Sequence, residues 1–422
     1  MPTFSCPRTR LGTHLQPRPP SYTGIYKGLN ILSSIQQKFS VHTRPNWAEI
    51  SLSALAENYH AVARHLGPGV TPCCVIKCDA YGHGVIESAR ALEDAGAVWL
   101  GVTSTEEGIA VREAGVQLPI LVMTGFWRGE EEALLVHCLT PAIATAEHVE
   151  ALEAAAAAVA CKHKVYVHLK VDTGMSRLGV SLDDLPALAA RIAASPVVRL
   201  QGVFSHLSES EVLDSPVAEH QRMEFERAIA LLADAGLHPQ YRHLANTAAV
   251  AARPDTWNNM ARPGLALYGY NLVCERRGQG PVAVQPDLPV RPVLTWKTRI
   301  IALRSIPTGT AVGYNQRWHA ARPTRLAVIP VGYGDGFNRH LSNQGQVILS
   351  DRYAPIVGNV SMDLTMIDVT DIPEAALGDE VLLIGRSPHC SIGADDMARL
   401  ANTITYEILC GLSPRVPRCY VE

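Results

Sequence analysis

The chain has 422 residues, of which 47% are hydrophobic and 18% charged: enough apolar surface for a packed core and too little charge for wholesale disorder. Thirty-seven Lys and Arg against 40 Asp and Glu leave a formal charge of −3, so no overall basic field draws the chain to nucleic acid or to an anionic membrane. At about 150 residues per domain, the length permits two or three domains, or one α/β barrel of about 250 residues with something attached.

Residues 1–48 hold no Asp or Glu but carry Arg8, Arg10, Arg18, Lys27, Lys38 and Arg44, and prolines 7, 17, 19 and 20 break any early helix. No uninterrupted apolar stretch suggests a signal peptide or a membrane span. Residues 1–44 are expected to be a poorly ordered N-terminal extension or the product of an upstream start, in preference to an organellar presequence. Folding is expected from Pro45.

From there the hydrophobic period alternates. Leu52, Leu55, Tyr59, Val62 and Leu66 follow the three-and-four spacing of an amphipathic helix. Apolar strand candidates recur at 73–79, 97–102, 118–124, 139–144, 165–171, 200–206, 241–246 and 261–267. Helical stretches such as 84–95, 104–114, 146–161 and 216–235 lie between them. Eight strands alternating with helices predict an α/β fold, a (β/α)8 TIM-type barrel over 45–285. No G-x-G-x-x-G follows a strand and no Walker A sequence is present. Beyond residue 286, short β-branched runs divided by Gly, Pro, Asn and Asp predict a mostly β C-terminal domain, 286–422. Its last stretch, 393–411, reads as helix, with Asp395 as cap and Gly411 as stop.

The ten cysteines are too dilute for a disulfide scaffold, and none forms a C-x-x-C pair. A reducing, cytoplasmic setting and no structural metal are expected.

Two segments carry chemistry on their own residues. In VIKCDAYGHG (75–84), a strand reading puts Lys77 on one face with Val75 and Asp79, at the C-terminal end of the first barrel strand, where barrel active sites open. A lysine there is either a core residue reaching outwards or a Schiff-base lysine held near neutrality. In HLKVDTGMSRLG (168–179), alternation sets His168, Lys170 and Asp172 on one face, with Arg177 in a Gly-flanked turn where its fork can take a carboxylate. A structural salt bridge is the competing reading of that segment.

Over residues 45–422 the sequence resembles the bacterial alanine racemase family, fold-type III pyridoxal-phosphate (PLP) enzymes. The family's V-x-K-A-D/N-A-Y-G-H-G is matched by VIKCDAYGHG, K-x-D-T-G-M-x-R-x-G by KVDTGMSRLG, and H-x-A-N-S-A-A by HLANTAA (243–249). VGYGDGF (331–337) and SMDLTMIDV (361–369) resemble V-G-Y-A/G-D-G and C-M-D-Q-x-x-x-D-V. The resemblance implies that Lys77 holds pyridoxal 5'-phosphate covalently and acts as base on the D-face of the substrate. It implies Tyr314, in AVGYNQRW, as base on the L-face, contributed across the interface of a homodimer. Arg177 is the implied contact of the cofactor's phenolic oxygen and of the substrate carboxylate, and Lys170 matches a lysine that is often carbamylated. His206 is the implied support of Arg262, which donates to the pyridine nitrogen. Phosphate contacts fall to Tyr81, Thr247, the backbone of Gly264 and Leu265, and Tyr406. Met362 is the implied backbone contact of the substrate carboxylate, and Asp363 organises the Tyr314 side. The implied activity is interconversion of L- and D-alanine for peptidoglycan synthesis.

The chain departs from the family at Cys78, at Asn315, Gln316 and Arg317 after the tyrosine, and at Asn359, Ser361 and Leu364. Those changes keep a serine or broad-specificity racemase open as the alternative. A related decarboxylase and a non-catalytic PLP-binding protein stand behind it.

Overall fold

The Ser51 side chain accepts the Ala54 N–H and so starts α1 (Leu52–Leu66), whose inner face buries Leu55, Tyr59, Val62 and Leu66. The structure, a computed structural model, describes residues 44–422 apart from 273, 278–279 and 283–287. The expected extension, Arg44 aside, and the expected boundary at 285/286 lie outside the described residues.

After α1 come eight parallel strands: β2 (Thr71–Val75), β3 (Trp99–Val102), β4 (Ile120–Val122), β5 (Thr140–Ile143), β6 (Val165–Lys170), β7 (Val198–Phe204), β8 (Tyr241–His243) and β9 (Met260–Ala261). They form one sheet in the order β8-β7-β6-β5-β4-β3-β2-β9. The Arg262 N–H donates to the Ala245 carbonyl at 2.9 Å, tying the two ends of the sheet into a barrel. Helices α2 (Val85–Asp94), α3 (Thr105–Glu113), α4 (Glu131–Val136), α5 (Ala146–Ala158), α6 (Leu185–Ala194), α7 (Pro216–Asp234) and α8 (Thr247–Ala252) alternate with the strands. Ser104, Thr145, Ser215 and Asn246 cap four of them with side-chain oxygens.

Strand β1 (Asn46–Ser51) precedes the barrel in sequence but belongs elsewhere. It pairs antiparallel with β12 (Leu294–Arg299) and parallel with β22 (Arg418–Val421) at the far end of the chain. A hairpin, β10 (Cys274–Arg276) and β11 (Gly280–Val282), leads out of the barrel. The C-terminal region then sets β12 in a seven-stranded sheet with β17 (Gln346–Leu349), β18 (Arg352–Pro355), β20 (Glu380–Arg386) and β21 (Ser391–Ile392). A second sheet joins β13 (Ala302–Ile306), β16 (Thr324–Ile329) and β19 (Thr365–Asp368). A small hairpin pairs β14 (Ala311–Val312) with β15 (Trp318–His319).

The expected single helix over 393–411 is two, α9 (Ala394–Ala401) and α10 (Thr405–Cys410), broken at Asn402 in the left-handed conformation. Asp396, and not Asp395, accepts the Gly393 N–H at the start of α9. Pro45–Glu422 packs as one unit. Its continuous core runs from Trp99 and Leu100 in the barrel to Trp296 and Phe337, whose rings meet edge-on at 5.8 Å. No helix of the described residues is long and apolar enough to cross a membrane.

Candidate active site

The barrel mouth begins where β2 stops. Lys77 does not sit on the strand, which ends at Val75; it opens a turn, Lys77–Gly82, in which Cys78, Asp79, Ala80 and Tyr81 all have φ between 52° and 55°. Left-handed backbone costs a non-glycine residue roughly 1–2 kcal/mol, so the surroundings must impose this path. The Cys78 N–H donates to Glu107 Oε1 at 2.5 Å, the Val85 N–H to Asp79 Oδ1 at 2.8 Å, and Arg418 Nε to the Gly82 carbonyl at 3.0 Å. Tyr81 stacks on Tyr268 at 4.7 Å, and the Tyr268 hydroxyl donates to the Val75 carbonyl at 3.0 Å. A Cβ on Gly82 would lie 2.2 Å from the Leu409 carbonyl oxygen, so the turn rests directly on α10.

The turn brings Tyr81 to Gly264 and Thr247. A Cβ at Gly264 would meet the Tyr81 hydroxyl at 2.4 Å, and the Gly264 N–H donates to Thr247 Oγ1 at 2.8 Å. Leu265 opens the short 3-10 helix Leu265–Tyr268 beside them, and the Tyr406 ring lies 5.8 Å from that of Tyr81. Burial pushes the Tyr81 phenol up strongly and that of Tyr406 to about 12, so both stand as neutral hydroxyls.

Arg262, which follows β9, is buried, and both of its terminal nitrogens are engaged. Its Nη1 donates to His243 Nδ1 at 2.9 Å and to the His243 carbonyl at 2.8 Å. Its Nη2 reaches the carbonyls of Ser205 (2.7 Å) and Leu244 (3.1 Å), with His206 Nδ1 at 3.4 Å. A guanidinium can only donate, so His243 carries its proton on Nε2 and passes it as a donor to His168 Nδ1, 2.8 Å away. Phe204 lies under two cations, Lys170 Nζ at 5.4 Å and Arg262 Cζ at 5.3 Å from the ring centre.

The mouth is cationic. Burial, then the like charges of Arg262, Arg177 and Lys77, pull the Lys170 ammonium down to about 8, with Asp172 opposing. Burial, then Arg262, Arg177, Lys170 and Lys77, hold His206 down to about 3. Arg262 is lowered to about 10 by burial and remains charged at neutral pH. Lys77 is half-buried and Arg177 exposed, and neither side chain makes a hydrogen bond among the described residues. Asp172 does not line the barrel interior with Lys170, as alternation predicts. Its Oδ1 accepts the N–H groups of Gly174, Met175 and Ser176 and shapes the loop that carries Arg177.

Tyr314 stands at the tip of the β14–β15 hairpin. Its carbonyl accepts from Asn359 Nδ2 at 2.9 Å, and its phenol makes no hydrogen bond among the described residues. Asn315 and Gln316 have φ of 59° and 49°, the conformation that glycines supply most cheaply, and asparagine tolerates it better than glutamine. Ser361 closes the turn that presents Met362, accepting the Leu364 N–H at 3.0 Å and donating to the Leu364 carbonyl at 2.7 Å. Asp363 accepts from Arg415 Nη2 at 2.6 Å. Glu107, His243 and Arg418 were not singled out by sequence, and Asn359 only as a departure from the family pattern. Each acts on a backbone group or through another side chain, and only HLANTAA, which contains His243, offered a signal.

Four buried or half-buried imidazoles give this region a pH signature. His83 is held down to about 4 and His168 to about 3, both chiefly by burial, as is His206 to about 3, and His243 lies well below its ordinary value of 6.5. Below pH 6.5 the unfolded chain takes up protons that the folded chain refuses. The stability present above pH 6.5 is therefore lost as pH falls towards about 4. Urea midpoints are expected to drop across that window, and a midpoint flat from pH 7 to pH 4.5 would contradict the burial of neutral imidazoles.

A closed parallel barrel with a lysine-bearing turn at its mouth, joined to a β domain that presents a tyrosine, defines a fold-type III PLP enzyme. The alanine racemase N-terminal domain family matches residues 50–272 and the alanine racemase C-terminal domain family matches 293–420. The chain belongs to the alanine racemase family. It is 39% identical over 378 residues to an alanine racemase of Halothermothrix orenii, covering 90% of this chain and 97% of that one. It is 40% identical to that of Sorangium cellulosum, covering 90% and 100%. Among solved structures, alanine racemase of Clostridium difficile 630 superposes with a TM-score of 0.82 at 29% identity, over 90% of this chain and 96% of that one. An alanine racemase of Bartonella henselae with covalently bound pyridoxal phosphate superposes with a TM-score of 0.77 at 30% identity, over 89% and 99%.

Proposed function

We propose that this chain interconverts L- and D-alanine with pyridoxal 5'-phosphate held through Lys77. One observation carries the reading: Lys77, Lys170, Arg177 and Arg262 gather their charges around His206, and the Tyr81 and Thr247 hydroxyls meet at the Gly264 backbone to form a cradle. That arrangement suits a dianionic phosphate at the cradle and a carboxylate at the mouth. The Gly264 position admits the Tyr81 hydroxyl only because no Cβ is there. Tyr81, Thr247, Tyr406 and the backbone at Gly264 and Leu265 would hold the phosphate. Arg262 would face the pyridine nitrogen as a donor that keeps its proton. When bound, the cofactor draws electrons from the substrate's α-carbon and makes its proton removable.

Two bases are required because one side chain cannot serve both faces of a clamped planar centre. Lys77 Nζ takes or returns the proton on the D-face and the Tyr314 phenol on the L-face. Arg177 and the Met362 amide orient the carboxylate. His206, neutral, steadies Arg262, and the Asp363–Arg415 pair braces the loop beside Met362. Among the described residues no group of three His, Cys, Asp or Glu is placed to hold a metal ion.

Tyr314, Met362, Tyr333 and Leu364 are 71%, 53%, 45% and 40% exposed on the β domain, a surface that a second copy would cover. We read the active form as a C2 homodimer in which this surface reaches the partner's barrel mouth. The barrel domain is read as 45–285, with β1 lent to the β domain 286–422. The free cysteines among the described residues fit a reducing compartment, the cytoplasm, where we place a role in supplying D-alanine for peptidoglycan.

Initial rates on L-alanine, D-alanine and the enantiomers of serine test the activity. Alanine is expected to be racemised fastest; exclusive turnover of serine or of a bulky basic amino acid would overturn the alanine reading. The lowered Lys170 amine is also expected to take up carbon dioxide. A carbamate would place a negative charge among Arg177, Arg262 and Lys77 and remove a like-charge conflict. With 13C-bicarbonate, a carbamate resonance is expected in the native protein and absent from Lys170→Ala.

A further inference from the structure

Cys78 is the residue by which the Lys77 motif departs from its family pattern, and the mechanism does not use it. It is exposed, one position beyond Lys77, in the left-handed turn. Cys410 ends α10 and is half-buried. The Cys78 thiol lies close enough to Cys410 to push its thiol up, and Lys77 close enough to pull it down. The segments that carry them touch closely: Gly82 has no room for a Cβ against Leu409, and Tyr81 meets Tyr406 at 5.8 Å. By contrast, Cys73 and Cys74 are neighbours within β2 and fully buried, out of reach of a reagent in solution.

We propose that Cys78 and Cys410 form a redox-modifiable pair, which closes to an intrachain disulfide by exchange with a small-molecule disulfide and clamps the Lys77 turn to α10. Cys78, being exposed, reacts first: its thiolate attacks one sulfur of the reagent, the reagent's S–S bond breaks, and one thiol leaves. Burial holds Cys410 protonated, up to about 12, so it stays idle until the mixed disulfide lies beside it. It then gives up its proton, attacks the Cys78 sulfur and expels the second thiol. Two protein thiols are oxidised by two electrons, and one small disulfide is reduced to two thiols, which take the two protons. The new bond fixes the spacing of the two segments that carry Lys77, Tyr81 and Tyr406, so turnover falls. That last consequence rests on the proposed function; the cross-link does not.

The PLP-loaded full-length protein is treated with glutathione disulfide at neutral pH, alkylated, digested and mapped by mass. A cross-linked peptide pair containing Cys78 and Cys410 is expected, lighter by about 2 Da than the two reduced peptides and separated by dithiothreitol. Racemisation is expected to fall at least about fivefold and to return with the reductant. Cys410→Ser and Cys78→Ala are expected to keep basal activity and to give no cross-link; Cys78→Ala is expected to be insensitive to the reagent, and Cys410→Ser to keep an unresolved glutathione adduct on Cys78. Both cysteines remaining free, or a glutathione adduct persisting on Cys78 in the unmutated chain, would overturn the proposal. So would inhibition of Cys78→Ala equal to that of the unmutated chain. A cross-link in a protein that never racemises alanine would instead uphold the pair and defeat the proposed function.

Discussion

Lys77→Ala is expected to lower alanine racemisation at least about a thousandfold, because it removes the covalent anchor of the cofactor and one of the two bases together. Little stability should go with it. The Lys77 side chain is half-buried, makes no hydrogen bond among the described residues and is one of the charges that depress Lys170. Truncation therefore relieves repulsion at the mouth and leaves the hydrogen bonds of the turn, which run through the Cys78 N–H and the Gly82 carbonyl, untouched. Borohydride reduction of the PLP-loaded parent, followed by peptide mapping, should place the adduct within 75–84. An adduct on any other lysine would move the active site away from β2.

Mixing Lys77→Ala with Tyr314→Phe subunits is expected to restore activity that neither variant has alone. Tyr314→Phe should be reduced by about 10² to 10⁴, the usual contribution of a positioned acid or base, and Lys77→Ala by at least about a thousandfold. A mixed dimer then contains one site with both residues intact and one with neither. It should recover roughly half the activity of the parent dimer if the two sites are independent. The exposed phenol of Tyr314, on a hairpin tip whose backbone Asn359 holds in place, is the observation behind this expectation. Purified mixed dimers that stay inactive while both subunits fold would place the tyrosine in its own chain's site.

The barrel was legible because its signal is local. Strand and helix periods alternate within windows of a few residues, and each of the eight strand candidates overlaps a strand that begins within two residues of the reading; 73–79 and 241–246 run past their strands, and 261–267 holds only the end of β9 before a 3-10 turn. Strand β1 was not legible, because nothing near it in sequence says that its partners are residues 294–298 and 418–421. The left-handed turn was hidden for a related reason. Cys78, Asp79, Ala80 and Tyr81 include no glycine, and their conformation is imposed by Glu107, Arg418 and Tyr268 from three other elements. The candidate site residues were reached through motif resemblance, and the residues that position them escaped because contact with a backbone group leaves no motif. Asn315 and Gln316 show the limit of pattern matching: they stand out in the sequence only as departures from the family pattern, and nothing in their letters announces a left-handed backbone at both.

The pairing of β1 with β22 has a consequence for how the polypeptide is made. The first described strand lies between β12 and the last one, so its place in the sheet stays open until residues 418–421 have left the ribosome. At roughly 5–20 residues per second, the barrel strands emerge many seconds before that strand can arrive. During synthesis Asn46–Ser51 is thus an unpaired edge on one side, exposed to neighbouring nascent chains. The final four-residue strand acts as the latch of the assembly: a ribosome that stops a few codons early would release a chain with its barrel sequence complete and its sheet unclosed.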